Sequence, residues 1–224
     1  MLQSRAVWSE KNRRTLNTQR HMPEEKKDKP APKGASATKA PSTVPIVEIT
    51  DDPILNKVRK RFPDAVLEAV EILGMPTLTI ARERIVEVCR FLRDDEEAQF
   101  DFLTDLTARH IPDAEKPFQV IYHLYSFSRN VRWRLKVNLA EGEACPSVVS
   151  VWSAANWMER EAYDLVGVRF EGHPDLRRLL LPEDWEGHPL RKDYPLEFRY
   201  NRWCEKHLNM VEFREGTEYS GRFE

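Results

Sequence analysis

Apolar positions recur along this chain with two periods. From Val131 they alternate strictly, with Val131, Trp133, Leu135 and Val137 on one face and Arg132, Arg134 and Lys136 on the other. That is the pattern of a strand buried on one side and solvated on the other. Phe100 to Ile111 and Phe118 to Ser128 read as two further strands, while Ala65 to Ile72 and Thr77 to Ala81 are β-branched runs separated by Gly74, Met75 and Pro76, a hairpin. Helical spacing governs three other segments. Ile54, Leu55, Val58 and Phe62 follow Asp51, Asp52 and Pro53, which suit an N-cap and a first helical position, and this helix ends at Pro63. Arg82 to Leu92 places Ile85, Val88, Cys89 and Leu92 on one face. Ala154 to Leu165 forms the third helix, with Ser153 as its cap and Arg160 and Asp164 as an i,i+4 pair. This order predicts an α+β domain, a mainly antiparallel sheet covered by helices on one side.

Neither end shows such a period. Residues 1–44 read as a disordered basic arm, lacking the apolar material that repays the entropy of ordering. Within residues 1–21, Arg5, Lys11, Arg13, Arg14 and Arg20 face only Glu10, the balance of a mitochondrial transit peptide. A Lys/Pro/Ala stretch follows that such a peptide would not need, so a bacterial tail is the preferred reading. From Gly167 onward Gly167, Gly172 and Gly187 stand among Pro174, Pro182, Pro189 and Pro195, and no periodic stretch longer than Leu176 to Leu181 intervenes. The expected division is therefore 1–44 arm, 45–166 α+β domain and 167–224 extended segment. Phe198, Tyr200 and Trp203 have no core to join, and aromatic residues of this kind anchor interfaces.

Charge and cysteine content narrow the function. The net charge of −2 is composed of a +6 arm, with ten Lys/Arg against four Asp/Glu, and a −8 remainder, with 25 against 33. The longest uncharged stretch, Ala144 to Met158, is 15 residues and contains Pro146, short of the roughly 20 apolar residues of a membrane span. The first residues lack the roughly 7- to 15-residue apolar run of a secretory signal, so folding that depends on disulfides is not expected. Cys89, Cys145 and Cys204 lie too far apart for the paired thiolates of zinc or iron–sulfur sites; Cys89 and Cys145 suit buried free thiols, and Cys204 a bystander. The basic stripe of residues 132–136 suits a solvated sheet face better than a nucleic-acid surface, since no basic loop reinforces it.

Chemistry concentrates between Glu159 and Pro195. His173, Asp175, Asp184 and His188 are of the right types for a freestanding metal-dependent hydrolase. Their spacing argues otherwise, because no HxH, HxxxH or HExxH pair sets two imidazoles on one face and both histidines precede proline. Arg177, Arg178, Arg191 and Lys192 lack a glycine-rich loop and share the segment with nine acids, so ion pairing, locally or with a partner, is favoured over phosphate binding. Glu159, Glu161 and Asp164 are equally consistent with a solvated helix face and a binding face.

In combination the residues say more. Glu159-Arg160-Glu161, Asp164 three residues on, then His173, Arg177 and Leu179 resemble the signature of the 30-kilodalton subunit of NADH-quinone oxidoreductase, respiratory complex I, also called its C subunit. The resemblance continues through LLLPEDWEGHPLRKDYP and reaches back to FDFLTDLTA and YHLYSFSRNVRWRLKV, covering about residues 50–195. It implies a peripheral-arm subunit with no catalytic, cofactor or metal site of its own, whose extended segment wraps the neighbouring D subunit, which helps to shape the quinone cavity. FMN and iron–sulfur clusters lie in partner subunits, which also bind NADH and quinone, and membrane attachment comes only through the assembly. The implied location is the cytoplasmic face of a bacterial inner membrane, or the matrix side of a mitochondrial one. Glu159, Arg160, Glu161, Tyr163, Asp164, His173, Arg177, Arg178, Trp185, His188, Arg191, Lys192, Asp193 and Tyr194 would hold the fold and the subunit seam. Related membrane-bound hydrogenases and other quinone-linked oxidoreductases contain equivalent subunits, leaving the electron donor open. A nucleic-acid-binding role for the arm is the remaining alternative.

Overall fold

The computed structural model describes residues 45–195 together with Trp203, Cys204 and His207. The arm and the remaining tail residues, Phe198 and Tyr200 among them, lie outside the described residues.

The chain first forms β1 (Ile46–Glu48), an exposed strand that the hydrophobic pattern does not foretell because three residues are too few to show a period. Helix α1 (Pro53–Arg61) follows as expected: Asp52 caps it, accepting from the N–H groups of Ile54 and Leu55 at 2.9 Å, and Pro53 opens it. Strands β2 (Val66–Ile72) and β3 (Met75–Ile80) make the hairpin. Its turn is Leu73-Gly74, both left-handed, so Met75 and Pro76 already belong to the second strand. A single 3₁₀ turn leads into α2 (Ile85–Asp94), which buries Ile85, Val88, Cys89 and Leu92. Then come β4 (Phe102–His110), β5 (Phe118–Ser126), β6 (Val131–Leu139), the two-residue β7 (Cys145–Pro146), α3 (Ala155–Val166) and β8 (Phe170–Glu171).

Six strands form one sheet in the order β1-β2-β3-β6-β5-β4. Every neighbouring pair is antiparallel except β3 and β6, which run parallel with Leu78 opposite Leu135. Alternation on β6 holds: Trp133, Leu135, Val137 and Leu139 are buried, while Arg134, Lys136 and Asn138 between them are half-buried rather than freely solvated. The inward side chains of the sheet and the buried faces of the helices merge into one core, in which Phe100, Tyr122, Leu78 and Leu135 are fully enclosed. Burying such a side chain is worth about 1.5–3 kcal/mol, and this supplies the bulk of the domain's stability.

Two expectations for α3 are corrected. Ser153 does not cap it; the residue before the helix is Ala154, already at φ −60 and ψ −28, with no side-chain cap bond. The chain enters through a tight turn in which the Trp152 and Ser153 carbonyls receive the N–H groups of Ala155 and Asn156, leaving no extended residue to present a hydroxyl. Arg160 and Asp164 do not pair, because each turns inward to a different partner in the segment after the helix. Nor does the chain leave the domain at Gly167. Val168 and Phe170 are buried in the same core, and β8 lies parallel to β7 in a two-stranded sheet. The irregular segment, hereafter the strap, runs from Gly172.

Candidate functional site

Helix α3 is unusual in what it hides. Its buried positions include Glu159, Arg160 and Asp164 beside Ala155, Ala162 and Val166, and each charged group is buried for a separate reason.

Asp164 holds the strap. One carboxylate oxygen accepts the N–H groups of Leu179, Leu180 and Leu181 at 3.0, 2.7 and 2.9 Å, and the other meets the Arg178 guanidinium at 2.7 Å. Burial by itself would raise the Asp164 pKa; the three N–H groups and Arg178 outweigh it and keep the group below the usual carboxylate range. Three consecutive N–H groups that no strand pairs are thus satisfied by one side chain, which is why an extended run can lie on a helix without a sheet. Arg178 completes the clamp by donating to the carbonyls of Trp185 and Gly187 at 2.8 and 3.0 Å. One turn earlier Arg160 donates to the carbonyls of Arg177 and Arg178, both at 3.1 Å, and its guanidinium lies 5.1 Å from the centre of the Trp157 ring.

The helix end is the second fixture. Gly167 adopts φ +87 as the left-handed C-cap, and the His188 ring packs so close that a Cβ there would stand 2.6 Å from it. His188 donates through Nδ1 to the Asp164 carbonyl at 2.9 Å and meets Tyr163 edge-on, and the Leu190 N–H reaches the Leu165 carbonyl. Tyr194 lies against Gly187 in the same manner, with its hydroxyl on the Glu186 carbonyl. A third fixture lies at the end of β4. His110 accepts the Lys192 N–H at 3.1 Å and stacks on Phe118, while Arg191 reaches Glu141 and Asp193 and lies over the Phe118 ring.

The four hydrolase candidates do not assemble. His173 has both nitrogens engaged, Nε2 with the Asn156 carbonyl at 3.1 Å and Nδ1 with the Asp175 N–H at 3.0 Å. Asp175 pairs with Arg177, Asp184 lies 3.8 Å from His207, and among the described residues no three metal-ligating side chains converge. Glu161 and Arg177 are exposed. Trp185 packs on Trp203, which stacks on His207. Local pairing is the outcome for Arg177, Arg178 and Arg191. His110 and Gly167 do not stand out as site residues in the sequence, although His110 follows Leu106 and Ala108 on the inward face of β4 and a Gly at the end of an apolar helix is a known stop signal.

Glu159 differs from the rest. Its side chain has no exposure; Oε1 accepts the Val148 N–H at 2.8 Å, and Oε2 is buried without a hydrogen-bond partner among the described residues. Burial raises its pKa to about 7, outweighing the lowering influence of the Val148 N–H and of the nearby Ser147 hydroxyl. The thiols of the domain are shut in: all three cysteines are free and buried, Tyr122 and Cys145 touch at 3.3 Å, and burial pushes Cys145 up to about 12. Cys204 is thus enclosed as well.

Fold and site together define a sheet domain that clamps its own extended C-terminal strap through buried charge, with no helix among the described residues long and apolar enough to cross a membrane. The sequence profile of the respiratory-chain NADH dehydrogenase 30-kilodalton subunit matches residues 78–200, and the chain belongs to that family. It is 47% identical over 143 residues to the NADH-quinone oxidoreductase C subunit of Geobacter sulfurreducens, a match covering 63% of this chain and 87% of that one. Against the corresponding protein of Rhodobacter capsulatus it is 45% identical over 148 residues, 64% of this chain and 74% of the other. Among solved structures, a chain of an archaeal membrane-bound sulfane sulfur reductase shares the fold with a TM-score of 0.57 at 20% identity, over 76% of this chain and 96% of that one.

Proposed function

We propose that this chain is a structural subunit of the peripheral arm of a proton-translocating NADH-quinone oxidoreductase, bracing the quinone-reducing module by laying its strap against the D subunit. Electrons pass from NADH through FMN and iron–sulfur clusters to quinone in the partner subunits; this chain supplies no catalytic group. It sits on the cytoplasmic face of the membrane and is held there by the assembly. The observation that carries this reading is the way the strap is held. Asp164 takes up the N–H groups of Leu179 to Leu181, and Leu180 and Leu190 remain 61% and 57% exposed, close in sequence to the clamped residues. Burying strap polarity inward while presenting leucines outward prepares a rigid surface for a second protein, whose binding then costs little ordering entropy.

Leu180→Asp and Leu190→Asp together test it. In complex purified from membranes through a tag on this chain, the double variant is expected to lose the D subunit and NADH:quinone activity by at least tenfold. The purified variant chain should retain its melting temperature within a few degrees. An assembly of normal yield and activity would overturn the reading.

A further inference from the structure

The sheet has a second face, turned away from the helices, and its composition is not that of an ordinary solvated surface. Cross-strand register brings Arg134 beside His123 and Thr77, Lys136 beside Ile121 and Thr79, and Arg132 beside Tyr125. On β4, Arg109 lies opposite Gln119, donates to it at 3.0 Å, and Gln119 in turn bonds Asn138. Four fixed cations therefore share this face with three carboxylates, Glu48, Glu68 and Asp105, in a region of the chain that is −8 overall. Burial chiefly, joined by Arg109 and Arg134, lowers the Lys136 pKa against the pull of Glu68, and burial joined by Arg134 lowers that of His123 against Asp105.

At one end of the same face stands an aromatic corner. Phe127 and Phe102 are 62% and 45% exposed, with ring centres 5.5 Å apart; Tyr125 meets Phe127 edge-on at 4.9 Å, and Arg132 lies 5.7 Å from the centre of the Tyr125 ring. Exposed aromatic rings joined to arginine are the composition of an interface anchor rather than of a free surface. The acidic balance of the rest of the domain and the lack of a basic loop to extend the patch favour a polypeptide over a nucleic acid as the occupant.

We infer that this open sheet face is a second docking surface, which receives a carboxylate-rich polypeptide segment of a neighbouring subunit, its acids on Arg134 and Lys136 and an apolar side chain on the Phe102–Phe127 corner. The inference rests on the assembly proposed above and adds an interface separate from the strap. Complementary charge sets register and orientation, and the aromatic corner supplies the apolar contact.

The test uses the intact complex, so that the assembly itself is already established by its isolation. Zero-length carbodiimide coupling, followed by peptide mass spectrometry, is expected to join Lys136 to an Asp or Glu of another polypeptide. Acetylation of Lys136 is expected to be at least tenfold slower in the complex than in the full chain purified alone. Equal acetylation in both, with no coupled peptide, would overturn the docking surface while leaving the strap interface untouched. Protection that vanishes on removing lipid, again without a coupled peptide, would assign the face to anionic headgroups and equally overturn it.

Discussion

Glu159 and Asp164 are both buried acids of one helix, and their environments drive them in opposite directions. Asp164 receives four donors and stays ionised. Glu159 has one clear donor and an orphaned oxygen, and holds its proton up to about pH 7. The consequences for stability follow by linkage. For Glu159 the folded pKa lies above the unfolded value of about 4.5, so the folded form binds the extra proton. Its contribution is fully present below about pH 4.5 and is lost as pH rises through about 7. At one pKa unit per 1.36 kcal/mol the loss approaches ~3 kcal/mol. Glu159→Gln, which keeps the acceptor for Val148 and cannot ionise, should flatten the urea-unfolding stability between about pH 5 and 7.5 and exceed the parent's at the upper end. A variant that follows the same pH curve as the parent would show that Glu159 is ionised in the fold. For Asp164 the sign is reversed, its stabilisation being present at neutral pH and withdrawn as acid protonates the carboxylate that holds the strap.

At the scale of elements, the helices and strands with a clean period were legible. Alternation on β6 and the spacing of Ile54, Leu55 and Val58 follow directly from one-sided burial. Of the signature residues, Asp164, Arg178 and His188 meet at the end of α3, although their charges are compatible with solvent, whereas Glu161 and Arg177 are exposed. A residue's burial by a segment fifteen positions later, such as that of Asp164 under Leu179 to Leu181, leaves no periodic trace. β1 leaves no trace because the three residues Ile46-Val47-Glu48 are too few to show a period, and the absent cap at Ser153 reflects a turn already helical at Ala154. Gly167 shows how tightly the helix end and the strap are joined. Gly167→Ala introduces both left-handed strain and a clash with His188, and a loss of about 2 kcal/mol is expected by thermal unfolding. In His188→Ala the clash has no partner, so the same substitution should cost about half as much; equal costs in both backgrounds would mean that the ring does not pack on the glycine.

For the whole molecule, the described residues divide the labour between a core that stabilises one domain and two outward surfaces that the core does not use. One is the strap with Leu180 and Leu190, fixed by Asp164 and Arg178; the other is the basic and aromatic face of the sheet. A domain whose polar groups are largely satisfied inside yet which exposes ordered leucines and phenylalanines is shaped for assembly. Affinity purification of the tagged chain from mild-detergent membranes, with mass spectrometry of its companions and assay of NADH:quinone oxidoreduction, puts this to the most direct trial. The assembly is expected to contain the D subunit, FMN and iron–sulfur clusters and to oxidise NADH. A chain that purifies alone, or within an assembly that takes its electrons from a donor other than NADH, would contradict it.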